Sequence, residues 1–115
     1  MMKSIEILKG GIESSSYKTH DFIAFCKTFK SEFTTELKVI GAKLTDFNVG
    51  HFFVSGFFSI NGKCFYFSLS DVRGMEFQSE INLLYRTARN NRDFQGGKNQ
   101  YVKLEKGMGS KMNLP

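Results

Sequence analysis

The chain contains no tryptophan, and its single proline is the last of 115 residues. With no internal proline there are no proline-set turns and no proline-rich linker, so the eleven glycines must shape the turns. Cysteine is scarce. Cys26 and Cys64 have no CxxC spacing, and His20 and His51 have no ligand partners at metal spacing, which excludes the common zinc modules. No apolar run is long enough for a membrane-spanning helix or a signal peptide, so the expected location is cytoplasmic. Enzyme signatures are missing too. No serine sits in a nucleophile elbow and neither cysteine has an evident histidine partner. Gly107-Met108-Gly109-Ser110-Lys111 lacks the order of a phosphate loop and has no helix after it. No catalytic residue, metal or cofactor is assigned, and a non-enzyme is expected.

What is abundant is phenylalanine, with 13 residues, beside four tyrosines. The length suits one aromatic-rich core, read as a single domain over 1–105 and a flexible basic tail over 106–115. The formal net charge of +5, with an isoelectric point near 9.3, suits a polyanionic partner and equally suits solubility alone.

Gly50 to Asp71 organises the fold. Asn61-Gly62 between apolar runs signals a type I′ hairpin. That turn sets Ile60 against Lys63, Phe58 against Phe65, Gly56 against Phe67 and Val54 against Leu69. The opposite face carries Phe53, Ser55, Phe57, Ser59, Cys64, Tyr66, Ser68 and Ser70. Before the hairpin, Phe22, Cys26, Phe29, Phe33, Leu37 and Ile40 recur at helical spacing from about His20 to Ile40. Ser16 or Thr19 is the expected N-cap, and Gly41 the left-handed C-terminal cap. Cys26 on this stripe and Cys64 on the far hairpin face argue for two free thiols. Residues 4–8 read as a short strand. Lys43 to Val49 reads as the first arm of one long strand reaching Ile60, bent by a bulge at Gly50. Residues 71–80 read as a connection with a short helical turn near Glu76. Residues 81–88 fit a strand, with helix as the competing reading, and Gln100 to Leu104 a last strand. The expected class is α+β: one long amphipathic helix on a four- to five-stranded, mainly antiparallel sheet centred on the hairpin.

Chemistry concentrates in residues 86–101, with four cations, five side-chain amides, a Gly-Gly pair and two aromatics. Arg86, Arg89, Arg92 and Lys98 suit phosphates, and Asn99 a base edge or phosphate. Backbone amides around Gly96 and Gly97 suit an anion nest, while Phe94 and Tyr101 suit stacking. The plainer alternative is a solvated turn with Asp93 pairing to Arg89 or Arg92. The Phe53, Phe57 and Tyr66 face is a second candidate: a base-stacking surface, a protein interface or dimer seam, or a face covered by residues 1–15 or the tail. Asp71 is read as pinning the sheet through Arg73 or Arg86.

Phe65-Tyr66-Phe67-Ser68-Leu69-Ser70-Asp71-Val72-Arg73, then Leu84-Tyr85-Arg86-Thr87-Ala88 and Asp93-Phe94-Gln95-Gly96-Gly97-Lys98-Asn99, resembles a pattern in small accessory proteins of bacterial phages and mobile genetic elements. The resemblance spans about residues 44–102 and assigns no residue a role. It implies a host-interaction setting, in which some proteins bind nucleic acid and others block host defence complexes. The leading expectation is a non-catalytic protein that contacts nucleic acid or a phosphorylated nucleotide through the basic Gly/Asn-rich loop. The alternative is a protein-binding factor that inhibits a host defence complex, anti-CRISPR-like.

Overall fold

The computed structural model describes residues 4, 6–7, 19–50, 53–69, 81–93 and 96–114. Helix α1 spans Thr19–Val39. Five strands follow: β1 Lys43–Val49, β2 Val54–Ile60, β3 Lys63–Leu69, β4 Asn82–Ala88 and β5 Gln100–Lys103. They form one open antiparallel sheet in the order of the chain. A turn of 3-10 helix, Met108–Lys111, ends the order. The class is α+β. Among the described residues no helix is long and apolar enough to cross a membrane.

The helix forms where its apolar stripe demands it. Phe22, Cys26, Phe29, Phe33 and Leu37 are buried, and Phe25 joins them. The phenylalanines stack along the helix, Phe25 on Phe29 at 5.7 Å and Phe29 on Phe33 at 5.4 Å between centroids. Phe33 then meets the sheet, its ring 4.8 Å from Phe67 and 5.9 Å from Phe58. Each buried ring is worth about 1.5–3 kcal/mol, so packing rather than propensity holds this helix. It ends in a Schellman arrangement. The Ala42 N–H donates to the Leu37 carbonyl at 2.8 Å and the Gly41 N–H to that of Lys38 at 3.1 Å, with Gly41 at φ 77°.

The β2–β3 register is the one that Asn61-Gly62 specifies, from Ile60 opposite Lys63 to Val54 opposite Leu69. Both turn residues have positive φ, 51° and 77°, as a type I′ turn requires. Residues 82–88 form a strand rather than a helix, burying Leu83 and Tyr85 toward α1 and exposing Asn82. Cys26 and Cys64 are both free, one buried in the core and one half-buried.

Three elements differ from the sequence reading. β1 and β2 are not one bent strand but an antiparallel pair, closed where the Gly50 N–H donates to the Phe53 carbonyl at 2.9 Å. The bulge lies earlier, between Leu44 and Asp46, and explains why Leu44 and Phe47 break alternation yet both pack on the core. Ser4, Glu6 and Ile7 are helical, not extended. The Ser4 N–H donates to the Glu32 carboxylate at 3.0 Å and Ile7 packs on the core. The segment expected as a free tail carries the 3-10 turn, with Met108 and Met112 buried in the core. The Glu36 carboxylate accepts from the Gly107 and Gly109 N–H groups at 3.1 and 3.0 Å. The Tyr85 hydroxyl accepts from the Asn113 N–H at 2.7 Å. The N-cap side chains of Ser16 and Thr19, the turn near Glu76 and the Asp71–Arg73 region lie outside the described residues.

Candidate nucleic-acid interface

The β4–β5 connection is built by its own backbone. Asp93 turns inward, and its carboxylate accepts from the Arg89 N–H at 3.0 Å and the Gly96 N–H at 2.9 Å. Asn90 caps the turn, its side-chain oxygen accepting from the Arg92 N–H at 2.8 Å. The Gly97 N–H donates to the Thr87 carbonyl at 2.9 Å. Gly96 and Gly97 press against Thr87 so closely that an added Cβ on either collides with it. The glycines therefore serve close approach. Their N–H groups serve intramolecular acceptors instead of forming an open anion nest. The Asp93 carboxylate thus meets the backbone amide of Arg89, one of the two residues it was expected to pair with.

This loop borders a cavity of about 570 Å³ lined by Thr87, Ala88, Arg89, Asp93, Gly96 and Gly97. Arg89 is exposed at its wall, and Arg92, Lys98 and Asn99 are exposed along the same connection. Asn91 ties the loop across the sheet. Its amide donates to Asp46 and, at 3.4 Å, to the Thr45 hydroxyl, while its oxygen accepts from the Cys64 thiol at 3.2 Å. Burial, and then the negative charges of Asp46 and Asp93, push the Cys64 thiol above its usual range. Asn91 and Asp46 are 45 positions apart, and nothing local in the sequence signals their pairing.

The sheet face away from α1 divides in two. Around β2 it is closed: Phe57 is 1 % exposed, though it lies outside the helix-side core, and Ser55 is buried. Residues 108–112 do not cover it, because Met108 and Met112 pack on the other side. Phe57 meets Tyr66 edge-on at 5.4 Å, and the Arg86 guanidinium lies 4.3 Å over the Tyr66 ring. Arg86 also donates to the Asn99 side-chain oxygen at 3.5 Å. Around β4 and β5 the same face is open. Asn82 and Lys103 are exposed, and Tyr101 is 63 % exposed. Phe53 is 42 % exposed at the β1–β2 turn, away from this patch. Phe94 lies outside the described residues.

Of the residues singled out from the sequence, Arg86, Arg89, Arg92, Gly96, Gly97, Lys98, Asn99 and Tyr101 thus gather on β4, β5 and the loop between them. Phe57 and Tyr66 are packed instead of presented. Lys103 and Asn82 join the open face without having been singled out, although strand alternation around Tyr101 and Arg86 carried that signal. Among the described residues no group of three or more His, Cys, Asp or Glu is placed to hold a metal ion.

Fold and site together define a small α+β protein, the long helix α1 across an open five-stranded meander, with a self-braced basic loop between its last two strands. No family model matches the chain, and neither a curated protein nor a solved structure matches it.

Proposed function

We propose that this is a non-catalytic, cytoplasmic binding protein of a phage or mobile element that contacts nucleic acid or a phosphorylated nucleotide through the β4–β5 loop. One observation carries the reading: Asp93 holds the Arg89 and Gly96 amides of the loop, while Arg89, which lines the cavity, and Arg92 and Lys98 on the same loop stay exposed. Cations held on a braced loop engage phosphates with little ordering cost. Because Gly96 and Gly97 donate internally, the phosphate contacts come from side chains. The test is fluorescence anisotropy with a labelled oligonucleotide at low and moderate salt. The combined Arg89→Glu, Arg92→Glu and Lys98→Glu variant is expected to lose at least roughly tenfold in affinity. Binding that ignores both salt and these substitutions refutes the reading.

A second reading, an inhibitor that binds a protein of a host defence complex, is favoured by the exposed Val49 and Phe53 flanking the β1–β2 turn. Phe53→Asp is its proper test, since Phe57→Asp strikes a buried ring. A partner retained after nuclease treatment and released by Phe53→Asp supports it.

A further inference from the structure

We infer that the ligand of this surface is single-stranded nucleic acid, laid across the open β4–β5 face with a base stacked on Tyr101; this rests on the nucleic-acid reading above. Tyr101 pairs with Leu84 across the β4–β5 ladder, and Arg86 stands one step along the same face of β4. Tyr101 and Arg86 are therefore diagonal neighbours, within reach of one ligand. Arg86 is already held over the Tyr66 ring at 4.3 Å and donates to Asn99 at 3.5 Å, so its guanidinium has partners on the protein before any ligand arrives.

The exposure pattern selects the ligand. A surface that only neutralises a duplex backbone has no use for a large ring presented to solvent. Among the described residues, the strands carry three aromatics on this outer face, and they are sorted: Phe57 is buried, Tyr66 lies under Arg86, and Tyr101 stands 63 % exposed, while Phe53 lies off the strands at the far β1–β2 turn. It sits between the loop cations on one side and Lys103 on the other. Unpaired bases offer a π-face to such a ring, whereas paired bases keep theirs inside the duplex. An aromatic platform flanked by cations that follow the backbone is the general arrangement for single strands. The exposed amides of Asn82 and Asn99 border the same face and can bond base edges or sugar hydroxyls.

The experiment compares labelled single-stranded deoxyribo- and ribo-oligonucleotides with a duplex of the same sequence, using the whole chain and Tyr101→Ala and Tyr101→Phe variants. Because Tyr101 is largely exposed, neither substitution is expected to disturb folding, and circular dichroism verifies this. The expected result is tighter binding of at least one single strand than of the duplex. Tyr101→Ala should weaken that binding roughly tenfold, with Tyr101→Phe close to the parent. Preference between the two strands then reports whether the sugar hydroxyl is read. Salt-dependent duplex binding that loses the loop cations' contribution but ignores Tyr101 overturns this inference and leaves the broader nucleic-acid reading standing. Absence of salt-dependent binding to every probe overturns both.

Discussion

At the scale of single residues, contact rather than composition assigns each role. Gly56 illustrates this. It stands opposite Phe67, as the hairpin register requires, but an added Cβ meets the Asp46 carbonyl oxygen most closely and the Phe67 ring only at 3.0 Å. The β1 bulge is what claims the space, and a backbone atom cannot yield as a side chain can. Gly56→Ala is therefore expected to cost roughly 1–3 kcal/mol, read as a lower urea midpoint with an unchanged slope. Cys26 shows a second residue-scale effect. Burial pushes its thiol from 9.0 up to about 11. Below pH 9 both folded and unfolded chains hold the proton. Between pH 9 and about 11 the unfolded chain releases it while the folded chain keeps it, so stability falls as pH rises through that window. Unfolding followed from pH 8 to 11 is expected to show a shallower decline in Cys26→Ala than in the parent.

At the scale of elements, short-range patterns decided what formed and long-range contacts decided how it was tied down. The hairpin turn, its register, the helix and its glycine cap all follow from neighbours within a few positions, and all were legible. The β1–β2 turn was not. Gly50 reads as a bulge in one long strand, and only the pairing of Phe47 with Gly56 shows that the chain turns back there instead. The 3-10 turn at Met108–Lys111 was hidden for a related reason. Its glycines and lysines look like tail, but Glu36, some 70 positions away, holds two of its N–H groups while Met108 fills the core. Glu36→Ala is expected to destabilise the protein by about 1–3 kcal/mol, because it strands the buried Gly109 amide, whereas water can take over the exposed Gly107 amide. Amide exchange at Gly107 and Gly109 should accelerate beyond that of the β2–β3 ladder.

At the scale of the whole molecule, the charge of +5 becomes meaningful through its placement. Arg86, Arg89, Arg92 and Lys98 fall on β4 and the loop after it, and Lys103 completes the open face while sharing Glu105 at 3.8 Å. Glu105 is held below the usual carboxylate range, first by its hydrogen bond from Lys111. Three loop cations on three phosphates of a single strand predict a log-affinity against log-salt slope of about −2, measurable by titration at several ionic strengths. A slope near zero means the cations do not meet phosphates. The sequence by itself determined the class of fold, the hairpin register, the helix stripe and the segment where polar chemistry concentrates, because periodicity and turn residues act over a few positions. Only the tertiary structure decided that Phe57 is closed away while Tyr101 is open, and that the Gly96 and Gly97 amides are taken by Asp93 and Thr87. Burial and hydrogen-bond satisfaction depend on what packs from elsewhere in the chain, and no local pattern encodes that.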